Sequence, residues 1–172
     1  MKNFFKVSLF LVALLFVSGI ASAQTVKIAH VNTAEVLDAM PDKSKAEKKL
    51  EAYYNELQEQ LKTMYTEYQN KLQDYQSNAE TMSNLVKQSK EKELVDLESR
   101  ITAFQGNAEQ EFEAKRAELL APLLEKIQNA INTVGKEKGC TYILDIATGT
   151  AVYIGTDAMD VTKDVKAKLG IK

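Results

Sequence analysis

One cysteine, one histidine, two prolines, seven glycines and no tryptophan are found in 172 residues. A disulfide framework needs paired cysteines, and a zinc site needs a cluster of cysteine and histidine. A collagen-like or linker-like chain needs far more glycine and proline. These classes are excluded. Nucleophile-elbow, metalloprotease-helix, phosphate-loop and calcium-loop motifs are also missing, so no catalytic residue, cofactor or metal is expected and the chain does not read as an enzyme. The length suits one ordinary domain.

What is present is unevenly spread. Lys2 and Lys6 precede an apolar run over residues 7–17, which is followed by the small triplet Ala21-Ser22-Ala23. This pattern predicts a secretory signal peptide over residues 1–23, cleaved after Ala23. The run is about half of the ~20 residues that a membrane span needs. A lipoprotein would need cysteine at the cleavage point, and the single cysteine is Cys140. The mature chain, residues 24–172, therefore works outside the cytoplasm and away from its ATP. Removing Lys2 and Lys6 takes the formal charge from −2 to −4. That is not the basic footprint of a nucleic-acid binder, and no nucleic-acid partner is expected.

Scarcity of glycine and proline becomes a positive signal between Asp42 and Gln105, 64 residues with neither and rich in Glu, Lys, Gln, Leu and Ala. Such a stretch predicts long helix. Leu50, Tyr54, Leu57, Leu61, Met64 and Tyr68 recur at the spacing of a coiled-coil seam. Apolar residues resume in another phase at Leu94, Leu97, Ile101, Phe104 and Ala108, with Ser77-Asn78 and Ser83-Asn84 between the two runs. Two antiparallel helices are expected, because facing residues then have numbers with a constant sum. Leu57 with Phe112, Leu61 with Ala108, Tyr68 with Ile101 and Tyr75 with Leu94 all give 169. The fold class is thus mainly α with a small β body. A hairpin arm over residues 42–119, with its apex near 84–85, projects from a body made of 24–41 and 120–172. Gly106 and Pro122 are the expected bend points.

The body should hold strands at 26–31, 141–146 and 151–154, the last two forming a hairpin, with a short helix after Asn32 and another capped by Asp160 or Thr162. Leu120, Leu123, Leu124, Ile127, Ile131 and Val134 make an apolar face broader than one small sheet can cover. They are the expected oligomer core. His30 reads as a structural strand residue. Cys140 reads first as a small buried apolar residue, with a reactive thiol or intermolecular disulfide as the alternative. Tyr53 and Tyr65 project off the seam, toward a partner or along their own helix.

The strand Lys27-Ile28-Ala29-His30-Val31-Asn32, the run Leu119-Leu120-Ala121-Pro122, Lys136-Glu137-Lys138-Gly139 leading into Tyr142-Ile143-Leu144-Asp145, and the closing Asp160-Val161-Thr162 resemble the Skp/OmpH family of periplasmic chaperones. The resemblance covers the whole mature chain. It implies a homotrimer whose strands form a compact body, with three helical hairpins around a cavity that holds unfolded outer-membrane proteins without ATP. Tyr53, Tyr65 and Phe112 are the candidate client contacts on the arms. One departure is clear. The best-known members are basic, whereas residues 42–119 here hold 12 basic and 16 acidic side chains, which speaks against membrane or lipopolysaccharide contact. The alternative function is a structural coiled-coil spacer or assembly subunit that binds one folded partner. A spacer would be expected to keep a continuous seam.

Overall fold

The computed structural model describes residues 26–149 and 151–171, and the expected export signal of residues 1–23 lies outside them. In chain order the elements are β1 (Ile28–Val31), α1 (Thr33–Asp38), α2 (Pro41–Asn78), α3 (Asn84–Lys138), β2 (Tyr142–Asp145), β3 (Met159–Asp160) and α4 (Thr162–Lys168).

α2 and α3 form the arm. Their 38 and 55 residues correspond to about 57 and 82 Å at 1.5 Å per residue. Pro41 opens α2 at a position where its missing N–H costs nothing. α3 runs through Pro122 and ends on Gly139, whose φ of 64° lets its N–H reach the carbonyls of Gly135 and Lys136. Arm and body therefore share one helix.

The turn at the arm tip spans residues 79–83, not 84–85. Ser83 is the reason. Its hydroxyl accepts from the Val86 N–H at 3.4 Å and so starts α3, making Asn84 and Leu85 its first helical residues. The cross-hairpin side-chain contacts scatter around the expected pairing sum, from 164 for Tyr53 with Glu111 to 170 for Tyr65 with Gln105, as the reach of long side chains allows. Near the root the Phe112 ring meets Tyr54 edge-on at 5.8 Å between centroids, one turn before the expected Leu57.

The body is a three-stranded sheet in the order β2-β1-β3, with both pairs parallel. The expected hairpin between 141–146 and 151–154 does not form, and the second of these segments is not a strand. β2 and β3 occupy opposite edges of β1, so the chain between them must cross the sheet and serves as a connection. β2 instead ends in a turn, where the Asp145 carboxylate accepts the Ala147 N–H and the Gly149 N–H reaches the Ile146 carbonyl.

One sheet face, through Ala29 and Val31, packs on Val36, Met40, Leu123, Ile127, Ala130, Val134, Val161 and Val165. Each large aliphatic side chain buried there contributes roughly 1.5–3 kcal/mol. α3 approaches β2 closely at Gly135, where a Cβ would stand 3.1 Å from the Ile143 Cδ1. This core also alters the expected subunit interface. Leu123, Ile127 and Val134 are buried within the chain itself, Leu120 and Ile131 are half-buried, and Leu124 stays exposed. The helical face that called for a partner is largely covered by the chain's own sheet and by α1 and α4.

Candidate functional site

Two surfaces stand out, one on the arm and one on the sheet. In the arm beyond its root, only Leu57, Leu94, Leu97 and Ile101 are buried. Two helices meeting along a single stripe cannot enclose more, and the remaining apolar side chains stay partly in water. Polar ties across the hairpin supplement the stripe. Near the root, Tyr53 donates to Glu111 at 2.8 Å and Lys126 reaches Asp42 at 3.0 Å. Near the tip, Lys71 reaches Glu93 at 3.2 Å, Lys90 reaches Asp74 at 3.0 Å, and Tyr75 donates to Glu91.

Some of these ties shift the ionisation of one partner. Lys45 and Lys126, both hydrogen-bonded to it, hold the Asp42 carboxyl below its ordinary value. Lys90 does the same to Asp74. Hydrogen bonds to Glu111 and Glu91 push the Tyr53 and Tyr75 phenols up.

All three aromatic candidates engage the opposite helix. Tyr53 is half-buried and bonded to Glu111, Phe112 is half-buried against Tyr54, and Tyr65 is exposed, with its hydroxyl accepting from the Gln105 amide at 3.1 Å. Gly106 has nothing within 4 Å of the place a Cβ would take, so close packing does not require a glycine there. Pro122 lies on the exposed side of α3. His30 is 3.9 Å from the Asp160 carboxylate, and Cys140 is a half-buried free thiol packed against the core.

The second surface is the other face of the sheet. Strand alternation points Ile28, Tyr142 and Leu144 away from the core, and all three are exposed. Val152 and Tyr153, in the crossing connection, are almost wholly in water. Sequence reasoning looked to the helix for exposed apolar surface and did not single out this face. The signal was available in β1 and β2, where apolar residues stand at successive positions rather than alternating with polar ones, the mark of strands covered on both faces.

Together, a long two-helix arm and a small parallel-sheet body with an exposed apolar face define the class of fold. The profile of the family described as "Outer membrane protein (OmpH-like)" matches residues 27–169. The chain belongs to that family. It is 27% identical over 165 residues to the chaperone protein Skp of Photorhabdus luminescens, covering 96% of this chain and 97% of that one. It is 26% identical over 152 residues to Skp of Pectobacterium atrosepticum, covering 88% and 90%. The fold is similar to the crystal structure of an OmpH-like outer membrane chaperone from Caulobacter crescentus, with TM-score 0.63, 18% identity, and 84% and 83% of the two chains covered.

Proposed function

We propose that the protein is an ATP-independent holdase of the periplasm, exported and cleaved after Ala23. It binds unfolded outer-membrane β-barrel proteins between its arms and keeps them from aggregating in transit. The observation that carries the reading is the arm itself, a hairpin two helices wide whose apolar side chains remain partly exposed along its length. The relatives' names support it, since the Skp proteins are called chaperones. A chain destined to become a β-barrel alternates polar and apolar residues, so it offers diffuse hydrophobicity and unpaired strands. Many weak contacts along a bendable arm suit such a client. Binding the unfolded form and not the folded one opposes aggregation by mass action, and folding into the membrane removes the ligand. No catalysis is required.

Self-association into a homotrimer belongs to the same reading. The uncovered sheet face, with Ile28, Tyr142 and Leu144, and the exposed Val152 and Tyr153 are the surface we assign to it. The net acidic arms do not favour lipid or lipopolysaccharide. The test dilutes a urea-unfolded outer-membrane β-barrel protein into buffer with and without the mature protein and follows light scattering. Suppression at stoichiometric trimer is expected, and unaltered scattering would overturn the reading.

A further inference from the structure

Between α2 and α3, at mid-arm, lies an open cleft of about 850 Å³. Met64, Ala103 and Phe104 line it together with Glu56, Glu59, Arg100 and Asn107. Phe104 also borders a second opening of about 270 Å³ that reaches Phe112. The Phe104 ring thus stands between two openings, and Met64 and Phe104 are only half-buried. The Tyr65 to Gln105 hydrogen bond closes the hairpin nearby, but neither residue lines the larger cleft.

Charge is arranged along the cleft. Arg100, one of two arginines in the chain, has no ion pair or hydrogen bond among the described residues. The antiparallel register puts it at the end toward the tip, whereas Glu56 and Asn107 lie toward the body. A guanidinium presents a planar fork suited to a carboxylate. A methionine thioether beside an aromatic ring favours another ring, or a large aliphatic group. The cleft therefore offers apolar surface followed, on the tip side, by an unpaired cation in an arm of net negative charge.

We propose that this cleft is a subsite for an extended, unfolded segment in which a large apolar side chain stands next to a carboxylate. The ring lies on Met64 and Phe104, and the carboxylate pairs with Arg100. This deepens the holdase reading and rests on it, giving the arm a preferred docking point within otherwise dispersed contacts.

The test uses the mature protein labelled with ¹³C at the methionine methyls, with the Met64 signal assigned through Met64→Leu. Three probes are titrated: acetyl-Gly-Phe-Asp-Gly-amide, the same peptide with Ala for Phe, and the same peptide with Asn for Asp. The first should shift the Met64 methyl saturably, with a Kd of about 1 mM. Each altered peptide should bind about fivefold more weakly. Arg100→Gln should erase the preference for Asp over Asn and keep the preference for Phe over Ala. Equal response to all three peptides, or none at Met64, overturns the subsite. A Met64 shift that follows protein concentration without peptide makes a second copy the occupant, and overturns it too. Light scattering on the same samples separates the two claims. Suppression without a Met64 response removes the subsite alone, and a response without suppression removes the holdase reading.

Discussion

Among the described residues Thr162 is the one buried polar residue, 3% exposed, and it joins the two ends of the described chain. Its hydroxyl accepts from the Asn32 N–H at 3.0 Å, and its own N–H donates to the Asp160 carboxylate at 2.8 Å. Asn32 in turn caps α1 by accepting from the Glu35 N–H at 3.1 Å, and the Thr33 hydroxyl donates to Asp145 at 2.6 Å. Thr162→Val leaves the Asn32 N–H without its partner and should cost about 1–3 kcal/mol, read as a lower urea midpoint. Thr162→Ser should recover most of it. Asp160 carries a pH dependence. Burial alone would raise its carboxyl, but the Thr162 hydroxyl and N–H, with His30 and Lys163 close by, outweigh it and hold the group below its ordinary 3.8. A carboxylate depressed in the folded state adds stability above its unfolded value and loses it as pH falls through the folded one. The body's urea midpoint should thus decline only below about pH 4, and Asp160→Asn should flatten that decline. The residues that carried the family resemblance, Asn32, Asp145, Asp160 and Thr162, prove to be this hydrogen-bonded knot. Their order was readable in the sequence. Their meeting was not, because nothing local to residues 30 and 160 says that they share a sheet.

At the scale of the element, the arm is held by a thin stripe and a few ties. Gly106 sits inside α3 with open space where a Cβ would go, so Gly106→Ala should stabilise the helix by about 1 kcal/mol and slow amide exchange around it. Faster exchange would mean that the glycine has a packing role not visible in the chain alone. The ties should be insensitive to pH over a wide range. The depressed Asp42 and Asp74 contribute above 3.8 and lose their ties as pH falls further. The raised Tyr53 and Tyr75 contribute below 10.0 and lose theirs as pH rises beyond it. Distances between spin labels at Glu67 and Glu98 should therefore stay constant from about pH 5 to 9. Helix existence was legible from the 64-residue stretch free of glycine and proline. The turn was placed slightly late because the spacing rule locates only the midpoint of the pairing, whereas the Ser83 cap decides where the second helix begins. The segment 151–154 has strand composition, yet the sheet order makes it a crossing, a choice that only tertiary pairing decides.

On the whole-molecule scale, the body's own core consumes Leu123, Ile127 and Val134, so the proposed trimer would have to use what is left uncovered. Leu144→Asp, on the outer sheet face, should shift the mass measured by sedimentation from trimer toward monomer while leaving the helical content unchanged. An unshifted mass would move the interface elsewhere. With 16 acidic against 12 basic side chains on residues 42–119, client capture should change little between low and moderate salt. The central claim is that the arms, and not the body, hold chains that are unfolded and release them once folded. Photoreactive cross-linkers placed singly along α2 and α3 between residues 50 and 110, and on α4, test it most directly. An unfolded outer-membrane β-barrel protein is predicted to cross-link at many arm positions and not on α4, and the same protein folded in detergent micelles at none of them. Equal cross-linking of the folded protein, or cross-links confined to the body, would contradict the account.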